Sequence, residues 1–408
     1  MHCHPRPRRL VQAALTVGAV ALVTACGQSH PDSIFHGRTE FNRDVDFLFR
    51  ILIYAGVAVF VFVEAVLVWA LIKYRQRPGQ PEPEHVHGNT PLEIAWTVIP
   101  ALILILIAIP TVRTIFRTQA SARADALQVE VIGHQWWWEF RYPQYGVETA
   151  NEVYLPIGRT VNFTLHSHDV IHSFWIPSLG GKRDVIANRT NYVWFTPDSS
   201  GVNAWNGACV EYCGASHANM RFKAFTVSEA DFASWIANQQ RPAAGAATPA
   251  PAAAGVPGQP PQPAVAQAGF VAFPRENLPA YAVPQTPLPS NLSFDDNLRG
   301  DPANGAKLVI GAGTCLACHS IKGNPMMVGV TGPNLTHVAS RTTIGAGLFP
   351  NDARHLARWI KNAPHMKPGI IMPTLGAGQV SPTNNKPIAG GLTDQQIADI
   401  VAYLQTLK

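Results

Sequence analysis

The sequence predicts a multidomain membrane protein in three parts: a hairpin of two transmembrane helices, an all-β domain and an all-α domain. Two apolar stretches each have about the 20 residues that a helix needs to cross a bilayer. Between residues 125 and 238, short β-type runs alternate with turn residues, and helical patterns return from residue 295. Only 14% of the 408 residues are charged, against about 25% in a soluble domain, which argues against a single soluble globule.

Residues 1–25 have the pattern of an export signal. A basic segment precedes the apolar run Leu10–Val23, which is too short to span a bilayer. The run ends in Val-Thr-Ala-Cys, which resembles a bacterial lipoprotein cleavage box. This resemblance implies that Cys26 becomes the lipidated first residue, whereas simple cleavage after Ala25 is the alternative.

Residues 26–124 carry the transmembrane hairpin, with helices expected at about 47–73 and 91–112. The apolar stretches themselves are Ile51–Ile72 and Leu92–Val112. The export signal places the mature N-terminus and everything after the second helix outside the cytoplasm. We therefore expect a protein of the bacterial inner membrane whose later domains lie on the periplasmic side.

Two glutamates interrupt these apolar stretches. A carboxylate at membrane depth is costly unless it faces protein or water. Glu64 lies in the middle of the first stretch and is expected to face a partner protein. Glu93 lies at the start of the second helix, where a carboxylate interacts favourably with the helix dipole, so helix capping is one interpretation of its role.

The part outside the membrane divides into two domains and a linker. Residues 125–238 are typical of a small β-sandwich or barrel. Residues 239–294 form a Pro/Ala-rich linker and connector, in which residues 241–267 have almost no bulky apolar side chain, so that a tethered domain could swing between sites. Residues 295–408 form the all-α domain, whose final helical pattern, Asp394–Leu407, has Thr393 as a candidate cap.

A cluster of sulfur and nitrogen ligands is the strongest chemical signal in the sequence. Cys209, Cys213, His217 and Met220 lie within twelve residues of one another. Thiolate, imidazole and thioether groups form a soft ligand set that suits copper better than zinc. Two thiolates can bridge two metal ions, each of which then needs a histidine, and His172 is the upstream candidate.

Four segments that begin at Glu93, Gly133, His172 and Cys209 resemble subunit II of haem-copper cytochrome c oxidase. The resemblance covers Asp32 to about Asn238 and implies a cupredoxin-like copper domain. It also implies that the Glu211 carboxylate helps to bind a Mg or Mn ion at the contact with subunit I. The ligands that it implies for the dinuclear copper A centre are His172, Cys209, Cys213, His217, Met220 and the backbone carbonyl of Glu211.

The resemblance implies two further roles. Trp136 would be the exposed point at which electrons arrive from cytochrome c, and Glu93 would lie at the mouth of a proton-uptake path. Aromatic residues on a strand more often belong to the core, and two of Trp136, Trp137 and Trp138 share a face. We therefore expect at least one of the three to be buried.

The all-α domain contains a c-type haem attachment motif. Cys315 and Cys318 would add to the haem vinyl groups, and His319 would bind the iron. The surrounding sequence resembles class I cytochrome c, which implies a distant methionine as the sixth ligand. Met372 matches that position, and Met366 is its main rival.

The net charges of the two domains have opposite signs. Residues 125–238 contain seven Lys and Arg and eleven Asp and Glu, a net charge of −4, whereas residues 295–408 contain ten and six, a net charge of +4. Opposite charges favour docking in an electron-transfer orientation. Surface charge without a functional meaning is the alternative.

Taken together, the resemblances imply a fused subunit II of a caa-type cytochrome c oxidase. Electrons would pass from haem c to copper A and then to haem in subunit I, where oxygen is reduced and protons are pumped. The implied partners are subunits I and III, the membrane and an external donor, either cytochrome c or a respiratory complex. No nucleic-acid partner is expected.

Two other functions fit parts of the same sequence. A copper-A-containing nitric oxide reductase could use the same layout for its electron-input subunit, although Glu93 and the segment after it favour an oxidase. A free membrane-anchored electron carrier is the second alternative, and the two intramembrane glutamates argue against it. A quinol oxidase subunit is disfavoured because the copper ligands are intact.

Overall fold

The computed structural model describes residues 16–18, 32–35, 37–82, 85, 87–198, 203–245, 270–382 and 384–408. Cys26 and most of the predicted export signal lie outside the described residues. The same holds for residues 246–269 of the predicted linker.

The membrane hairpin consists of α1 (Glu40–Lys73) and α2 (Thr90–Gln119), both long and apolar enough to cross a membrane. This confirms the two predicted helices, but both extend further on the side of the later domains. The side chain of Thr39 caps α1 by accepting a hydrogen bond from the Asn42 N–H. An Asp44–Arg117 ion pair of 2.9 Å joins the extensions. These extensions are polar, so hydropathy alone could not predict them.

The β domain contains two five-stranded sheets, one with the order β3-β2-β1-β5-β8 and the other β4-β10-β9-β6-β7. This arrangement confirms the predicted all-β fold. The strands are β1 (Leu127–His134), β2 (Trp137–Tyr142), β3 (Val147–Ala150), β4 (Glu152–Pro156), β5 (Val161–Ser167), β6 (His172–Trp175), β7 (Arg183–Val185), β8 (Asn191–Phe195), β9 (Asn203–Cys209) and β10 (Arg221–Val227).

Alternating apolar side chains from both sheets form the core of this domain. Along β1 every second residue is fully buried, as expected for a strand with one face on the core. Trp138 lies at the centre, with its ring 5.7 Å from those of Phe174 and Phe222. Helix α3 (Glu229–Gln239) closes one end by stacking Trp235 on Tyr154, with 4.5 Å between the rings.

The all-α domain is built on α4 (Pro302–Ile310), α5 (Ala353–Met366) and α6 (Asp394–Leu404), which confirms the predicted class. Two short hairpins accompany the helices: β11 (Thr343–Ile344) with β12 (Phe349–Pro350), and β13 (Val380–Ser381) with β14 (Lys386–Pro387). Thr393 caps α6 as predicted, in a reciprocal capping box with Gln396. Helix α4 crosses α6 at Gly305, where an added Cβ would lie 2.0 Å from the Asp399 carbonyl oxygen.

Residues 270–294 form a strap that packs on both domains. Phe273 stacks on Phe225 of the β domain with 4.9 Å between ring centres, and its N–H donates to the Tyr154 hydroxyl. Further along, Leu292 is buried in the core of the α domain. The second half of the predicted linker is therefore packed structure, and the two domains lie against each other.

Candidate metal centre and haem pocket

The loop between β9 and β10 brings the predicted copper ligands together. Cys209 ends β9, and its Sγ lies 3.7 Å from that of Cys213 and 3.2 Å from the Glu211 carbonyl oxygen. A short 3₁₀ turn then places His217 Nδ1 3.6 Å and Met220 Sδ 3.9 Å from the Cys213 Sγ. Ligands close in sequence are therefore also close in space.

His172 comes from β6, which lies next to β9 in the sheet. Its Nδ1 lies 3.9 Å from the Cys209 Sγ, while its Nε2 donates to the Asp169 carboxylate over 2.8 Å. This hydrogen bond leaves Nδ1 free as the metal ligand. The sequence alone predicts no role for Asp169. Its position three residues before His172 is the feature of the sequence that could have indicated a contact between the two side chains.

The two thiols need positive charge to ionise together. The interaction between the two sulfurs lowers the pKa of Cys209 to about 3 and raises the pKa of Cys213. A second thiolate 3.7 Å from the first is therefore unfavourable without cations between them. Two buried sulfurs, two imidazoles and a thioether fit the soft copper pair that the sequence predicts.

The three consecutive tryptophans have different surroundings. Trp138 is fully buried, as expected for at least one of them, and Trp137 stacks on His134 with 4.2 Å between rings. Trp136 lies between β1 and β2, and its Nε1 donates to the Cys213 carbonyl over 2.9 Å. It is only 7% exposed because the α domain covers it. Trp136 is therefore not the exposed residue that the resemblance implies, because the α domain is docked over it.

The α domain contains a cavity of about 290 Å³ that fits the predicted haem site. Cys315, Cys318, His319 and Met372 all line it. His319 Nδ1 donates to the Pro333 carbonyl over 2.7 Å, which leaves Nε2 available to iron. Burial also lowers the pKa of His319, which favours the neutral form of the ring that can bind a metal.

The candidate methionine ligands can be distinguished by their positions in the α domain. Met372 lines the cavity, whereas Met366 belongs to the hydrophobic core of the α domain. Met327 also borders the cavity but is 1% exposed and packed in that core. The geometry therefore favours Met372 over its rival.

The haem cavity opens directly onto the copper side of the interface. Trp136, Trp137 and Gln135 of the β domain line the same cavity as His319. The Trp136 indole thus lies between the cavity and the carbonyl of Cys213, a predicted copper ligand. One side chain connects the two candidate redox sites.

Buried hydrogen bonds hold the domains together. Glu152 of β4 is fully buried, and its Oε1 accepts hydrogen bonds from the Thr342 N–H at 2.7 Å, the Thr342 hydroxyl at 2.6 Å and the Thr343 N–H at 3.0 Å. Arg275 of the strap donates to the carbonyls of Arg341 and Ala339. Among the described residues, no ion pair joins residues 125–238 to residues 295–408. The buried Arg341 of the α domain nevertheless interacts electrostatically with Glu152 and Glu148 of the β domain, so opposite charges face each other here without forming a close ion pair.

The remaining predicted site residues lie apart from this interface. Glu93 accepts a hydrogen bond from the Asn89 N–H at 3.2 Å, in the first turn of α2, so it does contribute to capping. The side chain of Glu211 is exposed next to the cysteine cluster. Glu64 is exposed in the middle of α1.

Comparison with known proteins identifies three families in this order along the chain. The transmembrane domain of cytochrome c oxidase subunit II matches residues 36–114, its periplasmic domain matches residues 146–227, and cytochrome c matches residues 302–408. These three ranges correspond to the hairpin, the β domain and the α domain.

Two relatives named cytochrome c oxidase subunit 2 match this chain over most of their length. "Cytochrome c oxidase subunit 2" of Alkalihalophilus pseudofirmus is 30% identical over 367 residues, which are 88% of this chain and 86% of the relative. The protein of that name from Bacillus sp. (strain PS3) is also 30% identical, over 82% of this chain and 80% of its own. "Quinol oxidase subunit 2" of Bacillus spizizenii is 35% identical but covers only 45% of this chain and 58% of its own.

Among solved structures, the periplasmic domain of cytochrome oxidase subunit II of Bradyrhizobium japonicum is 29% identical, with a TM-score of 0.28. It covers 29% of this chain and 97% of its own. The relatives matched over most of their length decide the family. From these sequence matches and the order of its domains, the chain belongs to the cytochrome c oxidase subunit II family, in a form with a C-terminal cytochrome c domain.

Proposed function

We propose that this chain is the electron-input subunit of a terminal cytochrome c oxidase. Haem c and copper A, when bound, supply one-electron redox chemistry. Cys315, Cys318, His319 and Met372 would hold the haem. The copper pair would be held by His172, Cys209, Cys213, His217, Met220 and the Glu211 carbonyl.

The observation that carries this proposal is the position of Trp136. Its indole borders the haem cavity and donates to the Cys213 carbonyl over 2.9 Å. Because the α domain covers Trp136, an external protein donor would deliver its electron to haem c rather than to Trp136. Trp136 would then carry the electron onward inside one chain.

The proposal extends to parts of the complex beyond this chain. Electrons would leave copper A for haem in subunit I, where oxygen reduction is coupled to proton pumping, and subunit III would complete the complex. The exposed Glu211 carboxylate would contribute to a Mg or Mn site at the subunit I contact, and Glu93 would lie at the mouth of a proton path. The two domains would face the periplasm, anchored in the bacterial inner membrane by the hairpin and by lipidated Cys26.

The test is the metal content and gas consumption of the purified complex. We expect two copper atoms and one covalently bound haem in this chain, and consumption of oxygen driven by reduced cytochrome c. One copper atom or none would contradict the copper assignment. Consumption of nitric oxide in preference to oxygen would support the nitric oxide reductase instead.

A further inference from the structure

Lys367 reaches from the α domain into the β domain. Its side chain is only 1% exposed. The Nζ atom donates to the Trp136 carbonyl over 2.6 Å and to the Gly345 carbonyl over 3.1 Å. Gly345 belongs to the α domain and Trp136 to the β domain, so one amino group links a carbonyl from each.

Stability alone does not explain a lysine at this position. Among the described residues, no ion pair includes Lys367, and both of its acceptors are neutral carbonyls. Burying an amine that donates only to neutral carbonyls is costly, and burial lowers the pKa of Lys367 to about 7 although the nearby Cys213 sulfur acts in the opposite direction. A methionine of similar length would fill the space without this cost.

The loop that begins at Lys367 packs against Trp136 from the side of the α domain. Gly369 lies against the indole, where an added Cβ would be 2.8 Å from Trp136 Cη2. The Pro368 carbonyl accepts a hydrogen bond from the Ser216 hydroxyl over 2.5 Å, in the loop of copper ligands. Lys367 fixes the backbone of Trp136, and its neighbours fix the ring and the facing loop.

We propose that Lys367 is a positioning residue for electron transfer between the two domains, holding the Trp136 carbonyl so that the indole stays between the haem cavity and Cys213. This inference rests on the proposed function. In each transfer one electron leaves the haem and one arrives at the copper pair. Lys367 is neither oxidised nor reduced, and it acts through geometry alone.

The test uses the full oxidase complex with Lys367→Met. Haem c is reduced by a light flash, and the electron's arrival at copper is followed optically. We expect transfer to slow by about 10- to 100-fold, because the arrangement of Trp136 that this hydrogen bond holds would be populated less by about that factor. The absorption spectra of both centres should be unchanged, and Lys367→Gln, which keeps N–H donors, should restore part of the rate.

A second readout does not depend on turnover. Hydrogen exchange of the peptide around Trp136 should become faster in Lys367→Met than in the unaltered complex. The matched control is Lys322→Met, since Lys322 also donates across the interface, to the Gln240 carbonyl over 2.5 Å, but away from Trp136. This control should change neither the transfer rate nor the exchange at Trp136.

A transfer rate in Lys367→Met equal to that of Lys322→Met would overturn the inference. If Lys367→Met does not assemble, Lys367→Ala and Lys367→Gln decide in its place, and full-rate transfer in Lys367→Ala overturns the inference. An unaltered complex without any haem-to-copper transfer would refute the proposed function itself.

Discussion

The carboxylate of Glu152 offers a direct test of how the domains are held together. In Glu152→Ala, the N–H groups of Thr342 and Thr343 lose the acceptor that they contact at 2.7 and 3.0 Å. Each buried donor left without a partner costs about 1–3 kcal/mol. We expect docking to weaken by about 3 kcal/mol, which is roughly 150-fold in the equilibrium constant.

The covalent tether would hide much of this loss. A covalent link holds its two ends at an effective concentration that can be on the order of millimolar, so an intact chain can remain docked. The assay therefore places a protease site within residues 246–269 and cleaves the assembled complex. The fraction of the haem-bearing fragment that remains bound is then measured by size exclusion after serial dilution.

The matched control is Glu229→Ala, which removes a carboxylate paired with Arg159 at the surface of the same β domain. Such a surface pair contributes about 0–1 kcal/mol, and the hydrogen bonds of Arg159 go to Tyr145 and Glu229 within the β domain. Glu152→Gln should have a smaller effect than Glu152→Ala because an acceptor oxygen remains. Equal release of the fragment from Glu152→Ala and Glu229→Ala would refute the role of Glu152.

Three further predictions follow from the same geometry. Asp169→Asn should lower copper retention against a chelator by about 10- to 100-fold, since the carboxylate orients His172; unchanged retention would contradict this role. Met372→Ala should abolish the low-spin haem spectrum and lower the haem potential, whereas Met366→Leu should preserve both; the reverse result would exchange their roles. Haem-to-copper transfer should be insensitive to ionic strength raised from about 0.1 M to about 1 M, because no described ion pair joins the domains; a steep fall would instead support docking by the opposite net charges.

The ligand cluster could be predicted because it is local. Four of the side chains lie between Cys209 and Met220, on one loop between adjacent strands. Their chemistry and spacing are therefore visible without knowledge of the fold. His172 could be identified only from its sequence motif, because no short segment of the sequence indicates that β6 lies next to β9 in the sheet.

The interface could not be predicted because the roles of its residues depend on contacts that form only when the two domains dock. In the sequence, Glu152 is a strand glutamate and Lys367 a loop lysine, both of which usually face solvent. Each side chain instead forms hydrogen bonds with groups of the other domain that lie more than 180 residues away in the sequence. The net charges predicted attraction between the domains, but they carried no information about these directional contacts.

The strap contains aromatic residues that the average composition of residues 239–294 conceals. Residues 241–267 lack large apolar side chains, whereas Phe270, Phe273 and Tyr281 follow soon after. The assignment of residues 239–294 to a linker and connector gave these aromatic residues no packing role. Their packing on the β domain, together with the hydrogen bond from Tyr281 to the Ala204 carbonyl, fixes the start of the strap.

The central claim is that one chain delivers electrons from its own haem to its own copper pair through a docked interface. The most direct measurement is the rate of copper reduction after flash reduction of haem c, over a wide range of complex concentrations and before and after cleavage within residues 246–269. We predict a first-order rate that neither concentration nor cleavage changes. A rate that rises with concentration, or that is lost on cleavage, would contradict the account.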